Sequence, residues 1–196
     1  MEALIKKYAL GTSSLLPILP DGEPEGWLAD TNREVLKRLI RPEFRLVVDG
    51  GSWKGCSAYF MCKCHPSCKV VCIDSWKGSP EHQSRSDLPE LFEQFKANMS
   101  IFSYRILAIR DDWRKGIWEL IENDVSPDLI YIDWQHEYDD VRSQLELIVP
   151  AFPDAVICGD DFNKPGVNRA VREYADRFQL ALKDNVTIWW FEKHNL

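Results

Sequence analysis

Apolar residues along this chain fall into short unbroken runs, separated by stretches with helical periodicity. Phe44–Asp49, Lys69–Asp74, Tyr104–Ile109, Leu129–Asp133 and Ala155–Cys158 have strand length and little polar alternation. Such runs mark strands covered on both faces, as in a parallel sheet. Between them, Cys56–Lys63, Leu88–Met99, Trp113–Ile121, Tyr138–Ile148 and Val167–Phe178 read as helices. In the second of these, Leu91, Phe92, Phe95 and Met99 form one apolar stripe. An earlier helix runs from a cap at Asp30 or Thr31 to about Ile40, with Val35, Leu36, Leu39 and Ile40 on its apolar face. Gln179–Lys183 and Val186–Phe191 predict a hairpin around Asp184-Asn185. The alternation predicts an α/β domain with a doubly wound, mostly parallel sheet and one antiparallel C-terminal strand. Gly11–Gly26, with Pro17, Pro20 and Pro24, reads as irregular chain. Residues 1–26 are therefore expected to form an N-terminal arm, and residues 27–196 a single domain.

Doubly wound sheets bind ligands beyond the carboxyl ends of their strands. Asp49, Asp74, Asp133, Asp160 and Asp161 all fall at those predicted ends. One such acid is commonly a cap or turn former; acids at four strand ends point to a shared site. The turn Asp49-Gly-Gly-Ser-Trp-Lys-Gly55 lets the backbone approach a ligand at Gly51 and Gly55, with Ser57 at the mouth of the next helix. It lacks the third glycine of a dinucleotide fingerprint, which favours an uncharged nucleoside over a pyrophosphate. Asp74 is placed to take ribose hydroxyls, or else to cap the following turn. Trp76 either walls the nucleoside pocket or packs inside. Asp111 or Asp112 can accept from an adenine amino group, or cap the helix that begins at Trp113.

Asp133, Asp160 and Asp161 would repel one another if left bare. A hard divalent cation relieves that repulsion through oxygen ligands, holds substrate hydroxyls and lowers the pKa of one of them. Asp133 or His136 can then remove its proton. The competing reading makes Asp160-Asp161 a loop that caps the Val167 helix.

Charge and cysteine content narrow the partners. With 24 Lys and Arg against 31 Asp and Glu, the net charge of −7 disfavours a nucleic-acid surface. No apolar run is long enough to cross a bilayer, and the first residues lack the order of a secretory signal, so the expected location is cytoplasmic. Five of six cysteines lie between Cys56 and Cys72. Cys62-Lys-Cys-His-Pro-Ser-Cys68 invites a zinc reading, but a second ligand pair is missing, and buried free thiols fit better.

At these residues the chain resembles class I S-adenosylmethionine-dependent methyltransferases, specifically methyltransferase family 24, near the macrocin-type sugar O-methyltransferases. The matching segments are Gly26-Trp-Leu-Ala-Asp-Thr-Asn32, Val48-Asp-Gly-Gly-Ser-Trp-Lys-Gly-Cys-Ser-Ala58, Ile73-Asp-Ser-Trp-Lys-Gly78, Tyr131-Ile-Asp-Trp-Gln-His-Glu-Tyr-Asp-Asp-Val141 and Gly159-Asp-Asp-Phe162 with Gly166-Val167. The resemblance implies a Rossmann-like sheet of seven strands with the last antiparallel. It implies that Asp49, Gly51, Ser52 and Ser57 line the methionine side of the cofactor, that Asp74 holds the ribose, and that Asp112 and Trp113 flank the adenine. Gly50, Trp53, Ser75, Trp76, Asp111 and Asp133 complete the expected cofactor shell. The positions matching Asp133, Asp160 and Asp161 carry magnesium in metal-dependent relatives, with Asp133 and His136 as catalytic groups. The chain departs from the family at Asp49, where Glu is usual, at Gly50, where a bulky apolar residue is usual, and at Phe152-Pro-Asp-Ala155, where a glycine pair is common. The substrate-covering insertions of the sugar enzymes are short here. The expected partner is a small hydroxylated molecule such as a sugar, with a homo-oligomer as a further possibility. A nicotinamide-dependent oxidoreductase and a cofactor-binding module without transfer activity are the alternatives.

Overall fold

A computed structural model describes residues 1–192. Seven strands form one sheet: β1 (Leu46–Gly50), β2 (Lys69–Asp74), β3 (Ile106–Arg110), β4 (Leu129–Ile132), β5 (Val156–Gly159), β6 (Ala181–Asn185) and β7 (Ile188–Glu192). Their order is β3-β2-β1-β4-β5-β7-β6. Strands β1 to β5 pair in parallel, and β7 runs antiparallel to both β5 and β6. The fold is the doubly wound, Rossmann-like one that the apolar runs predict. The strand order reverses at the β1/β4 junction, where such sheets open a crevice.

The helices are α1 (Glu2–Tyr8), α2 (Asp30–Leu39), α3 (Cys56–Cys64), α4 (Leu91–Asn98), α5 (Trp113–Glu122), α6 (Tyr138–Ala151) and α7 (Pro165–Phe178). Strand side chains alternate between two cores. Leu46, Val48, Val71, Ile73, Ile130 and Ile132 face the layer that contains α5, α6 and α7. Val47, Val70, Cys72, Leu129 and Tyr131 face the layer that contains α2, α3 and α4. Burial on both faces explains why these strands carry almost no polar alternation.

Several boundaries differ from the sequence expectation. The C-terminal hairpin turns at Val186-Thr187, not Asp184-Asn185; Val186 takes φ 62°, and β6 extends through Asn185. Helix α2 starts at Asp30 after an extended Ala29 and has no side-chain cap, so neither Asp30 nor Thr31 caps it. The predicted helix from Leu88 instead opens with a 3-10 turn, Leu88–Glu90, with Pro89 in it, and α4 itself begins at Leu91. The N-terminal segment is not wholly irregular. Helix α1 buries Leu4, Ala9 bridges to Leu107, and Lys7 pairs with Glu119 at 2.7 Å. Residues 11–29 then run without regular structure except one turn at Pro20–Gly22. No helix among the described residues is long and apolar enough to cross a membrane.

Helix α5 packs so closely on β2 that a Cβ at Gly116 would stand 2.3 Å from Cγ2 of Ile73. A β-branched methyl has little room to yield. Gly116→Ala is therefore expected to destabilise the protein by about 1–3 kcal/mol, read as a lower midpoint in urea unfolding. An unchanged midpoint would show that this helix is not seated as described.

Candidate active site

The turn that follows β1 is shaped by contact with the end of β4. Gly51 has φ +85°, and a Cβ on it would lie 1.9 Å from the carbonyl oxygen of Asp133. A Cβ on Gly50 would lie 2.4 Å from the ring of Trp134. Gly51 N–H and Trp134 Nε1–H both donate to the carbonyl of Ile73 on β2, at 3.0 and 2.8 Å. These contacts draw the ends of β1, β2 and β4 together. Gly50 is thus required by the neighbouring indole, and the bulky residue common at this position in the family would collide with it.

A cleft of about 520 Å³ opens over these strand ends. Of the predicted residues, Gly51, Trp53, Asp74, Ser75, Asp112, Trp113, Asp133, His136, Asp160 and Asp161 line it. The others stand behind or beside it. Trp76 is 2% exposed, packs against Phe92 and Phe95, and donates from Nε1 to the carbonyl of Trp53 at 2.7 Å. It is the packed aromatic of the two readings. Asp111 pairs with Lys115 at 3.2 Å away from the cleft. Asp112 caps α5 through Arg114 N–H at 2.9 Å, as one of its two readings has it, and it also borders the cleft.

Asp49 lies under the glycine turn and is fully buried. Neither of its carboxylate oxygens has a hydrogen-bond partner of good geometry. Ser52 spends its hydroxyl on the carbonyl of Asp49 itself at 3.0 Å. Burial pushes the Asp49 pKa up to about 6, against the smaller lowering effect of the Ser52 and Ser57 hydroxyls. An unpartnered carboxylate at this position suits a cationic ligand group such as an amino group. Asp74 accepts from the backbone N–H of Trp53 at 2.9 Å and of Trp76 at 2.7 Å, one on each oxygen. Each oxygen keeps a lone pair, the capacity that two ribose hydroxyls use. Burial raises its pKa, and these backbone bonds oppose the rise.

On the β4–β5 side, ligand atoms of Asp133, His136 and Asp161 lie within 4.8 Å of one another. His136 Nε2 stands 2.8 Å from Asp161 and 3.6 Å from Asp133. Lys164 Nζ stands 2.8 Å from Asp161 and 3.0 Å from His136 Nδ1. The last contact is a hydrogen bond only when Nδ1 is unprotonated. Burial lifts the Asp133 pKa to about 7. Burial opposes the cationic form of His136, but its bonds to Asp133 and Asp161 outweigh this and raise its pKa to about 9. The Lys164 ammonium offsets the crowded carboxylates, and His136 adds positive charge only when Nδ1 no longer accepts from that ammonium. Asp161 adopts φ 59°, a left-handed conformation that aspartate tolerates better than most non-glycine residues.

Asp160 is held differently. One oxygen accepts from Tyr131 Oη at 3.1 Å and the other from Asp161 N–H at 2.7 Å. Buried Asn32 backs this tyrosine: its Oδ1 accepts from Thr187 at 2.8 Å, and its Nδ2 reaches Tyr131 Oη at 3.5 Å. Helix α7 has no side-chain cap, so the reading of Asp160-Asp161 as its cap fails. The oxygen-rich donor set fits a hard divalent cation. Asp133, His136 and Asp161 are the side chains close enough together to share one ion, with Asp160 beside them. The cysteines form no comparable group among the described residues. Cys56, Cys62, Cys68, Cys72 and Cys158 are buried, and burial raises their thiol pKa values. His65 spends both ring nitrogens on backbone groups.

Sequence reasoning missed Trp134, Lys164, Trp27, Glu81 and His82, which also line the cleft. Trp134 adjoins Asp133 and was within reach of inspection, whereas the others arrive from loops whose course the sequence pattern does not give.

The fold with this cleft is that of class I methyltransferases. Among solved structures, the chain is similar to CalS11, described as a TDP-rhamnose 3'-O-methyltransferase of calicheamicin biosynthesis. The TM-score is 0.60 at 18% identity, covering 83% of this chain and 77% of that one. It is also similar to the O-methyltransferase TomG of Streptomyces achromogenes in complex with SAM, with a TM-score of 0.60 at 13% identity over 85% and 82% of the two chains. An O-methyltransferase of Bacillus cereus in complex with SAH matches with a TM-score of 0.56 at 15% identity over 98% and 90%. A search of curated protein sequences finds no match. Residues 48–162, more than half of the chain, match the family model of methyltransferase family 24, a methyltransferase domain, and the protein belongs to that family.

The raised pKa of Asp49 has a stability consequence. Its carboxyl holds a proton more tightly folded than unfolded, so its charged form costs stability above about pH 6. That cost shrinks as pH falls through 6 toward 4. Asp49→Asn is expected to raise unfolding stability at pH 8 by up to about 3 kcal/mol, and the gain should fade by pH 4. Equal stability of the two proteins at pH 8 would show that the carboxylate is solvated or paired.

Proposed function

We propose that the protein transfers a methyl group from S-adenosylmethionine to a hydroxyl oxygen of a small, neutral, hydroxylated acceptor, with a divalent cation, magnesium first, at Asp133 and Asp161. The observation that carries this reading is the convergence of Asp74, Asp112, Asp133 and Asp161 on one cleft beside the close approach of Gly50 and Gly51 to the end of β4. Its volume is that of a site for a nucleoside and a small partner. That all three similar structures are O-methyltransferases, two of them holding SAM or SAH, supports the same chemistry.

In this reading Asp49, Gly51, Ser52 and Ser57 face the amino-acid end of the cofactor, Asp74 takes the ribose hydroxyls, and Asp112 with Trp113 borders the adenine. S-adenosylmethionine supplies a methyl group activated by its sulfonium. The cation supplies a positive charge that holds the acceptor oxygen and favours its ionised form. The hydroxyl proton would go to Asp133, or to His136 as its free base once a cation holds the carboxylates that now keep it protonated, and Lys164 keeps Asp161 anionic. Orientation of the two reactants over the strand ends provides most of the acceleration.

Calorimetry with S-adenosylhomocysteine tests the cofactor, with binding in the micromolar range expected. No heat at millimolar ligand would remove the transferase reading. Manganese binding followed by electron paramagnetic resonance tests the cation. Asp161→Asn should weaken it at least about tenfold, and an unchanged affinity would remove the metal.

A further inference from the structure

Trp27 is 62% exposed although it lines the cleft. A large apolar ring left in water on the wall of a binding site commonly marks a ligand contact. The ring is firmly placed. It stacks on His82 with centroids 5.2 Å apart and planes 9° from parallel, and it leans on Trp53 at 5.7 Å. His82 in turn meets Trp53 at 4.6 Å and is bound through Nδ1 to Ser79 Oγ at 2.8 Å. These residues come from three segments: the approach to α2, the turn after β1, and the loop after β2.

A charged clasp joins the same three segments. Lys54 Nζ meets Glu25 at 2.7 Å and Asp87 at 2.6 Å, with its side chain only 10% exposed. Arg85 meets the same two acids at 3.1 and 2.8 Å. A cation so little hydrated requires both acids, so the clasp fixes where Trp27 and His82 stand. Gly26 adds a steric anchor, because a Cβ there would lie 2.3 Å from Cβ of Cys56. Glu81 and His82 line the same cleft as Asp133, His136 and Asp161. The platform therefore borders the Asp133–Asp161 cluster across the cleft.

We propose that the Trp27–His82 stack is the acceptor platform. It takes an uncharged six-membered ring with one flat apolar face and adjacent hydroxyls. The ring lies against the indole, and the hydroxyls reach toward Asp133 and Asp161. This assignment rests on the methyl-transfer reading. An uncharged ring fits because Glu81, Asp112, Asp133, Asp160 and Asp161 make the cleft predominantly acidic, with Lys164 as a cation already engaged by Asp161. A pyranoside and a catechol both have the required face and hydroxyls.

The test uses protein saturated with S-adenosylhomocysteine and magnesium, titrated separately with methyl α-D-glucopyranoside and with catechol, and read by tryptophan fluorescence and calorimetry. At least one probe is expected to bind, and the one that does identifies the ring type. Trp27→Ala should weaken it about tenfold, Trp27→Phe should restore most of the affinity, and S-adenosylhomocysteine affinity should stay within about twofold in both. Equal probe affinity in Trp27→Ala and the unsubstituted protein would overturn the platform, as would failure of both probes to bind the saturated protein. Failure of S-adenosylhomocysteine itself to bind would instead overturn the reading beneath it.

Discussion

No side chain fits between the turn after β1 and the end of β4, and the rest of the site follows from that exclusion. Gly51 passes so near the carbonyl of Asp133, and Gly50 so near the ring of Trp134, that any Cβ would collide. With Gly51 N–H and Trp134 Nε1–H also donating to the carbonyl of Ile73, three strand ends are locked at one height. The strand order reverses at this point, so the chain leaves β1 and β4 toward opposite faces and a crevice remains between them. Asp74 and Asp133 look into that crevice because they terminate, or directly follow, strands held in this register.

The same closeness creates an electrostatic burden. Burial raises the pKa of Asp49, Asp74 and Asp133 alike, so the ligand-free fold carries carboxylates that lack their best partners. Partial relief is local: backbone amides for Asp74, and the His136–Lys164 pair for Asp133 and Asp161. Asp49 has no comparable relief. Stability withheld at such positions is commonly recovered when a ligand brings the missing charge.

Much of this architecture was legible in the sequence. Strands buried on both faces leave unbroken apolar runs, so β1 to β5 and their order along the chain could be read directly. The aspartates that end or follow those runs marked the rim of the site. What could not be read depends on contacts distant in sequence. Helix α1 is short and weakly patterned, and it is held by Leu107 and Glu119 rather than by its own periodicity. Asp160 resembles Asp161 in sequence, yet Tyr131 and Asn32 tie it back from the cluster. The Lys54 clasp and the Trp27–His82 stack unite residues up to about sixty positions apart across loops without periodicity. The hairpin turn moved because Val186 accepts a left-handed conformation that residue preference assigns to Asn185.

The proposed function requires one cleft to hold a nucleoside and a cation side by side. A crystal structure of the protein soaked with S-adenosylhomocysteine and manganese, with anomalous data collected at the manganese edge, tests it most directly. An anomalous peak is expected between the carboxylates of Asp133 and Asp161, with adenosine density running from Asp74 to Asp112. A peak elsewhere on the surface, or nucleoside density away from the β1 turn, would contradict it.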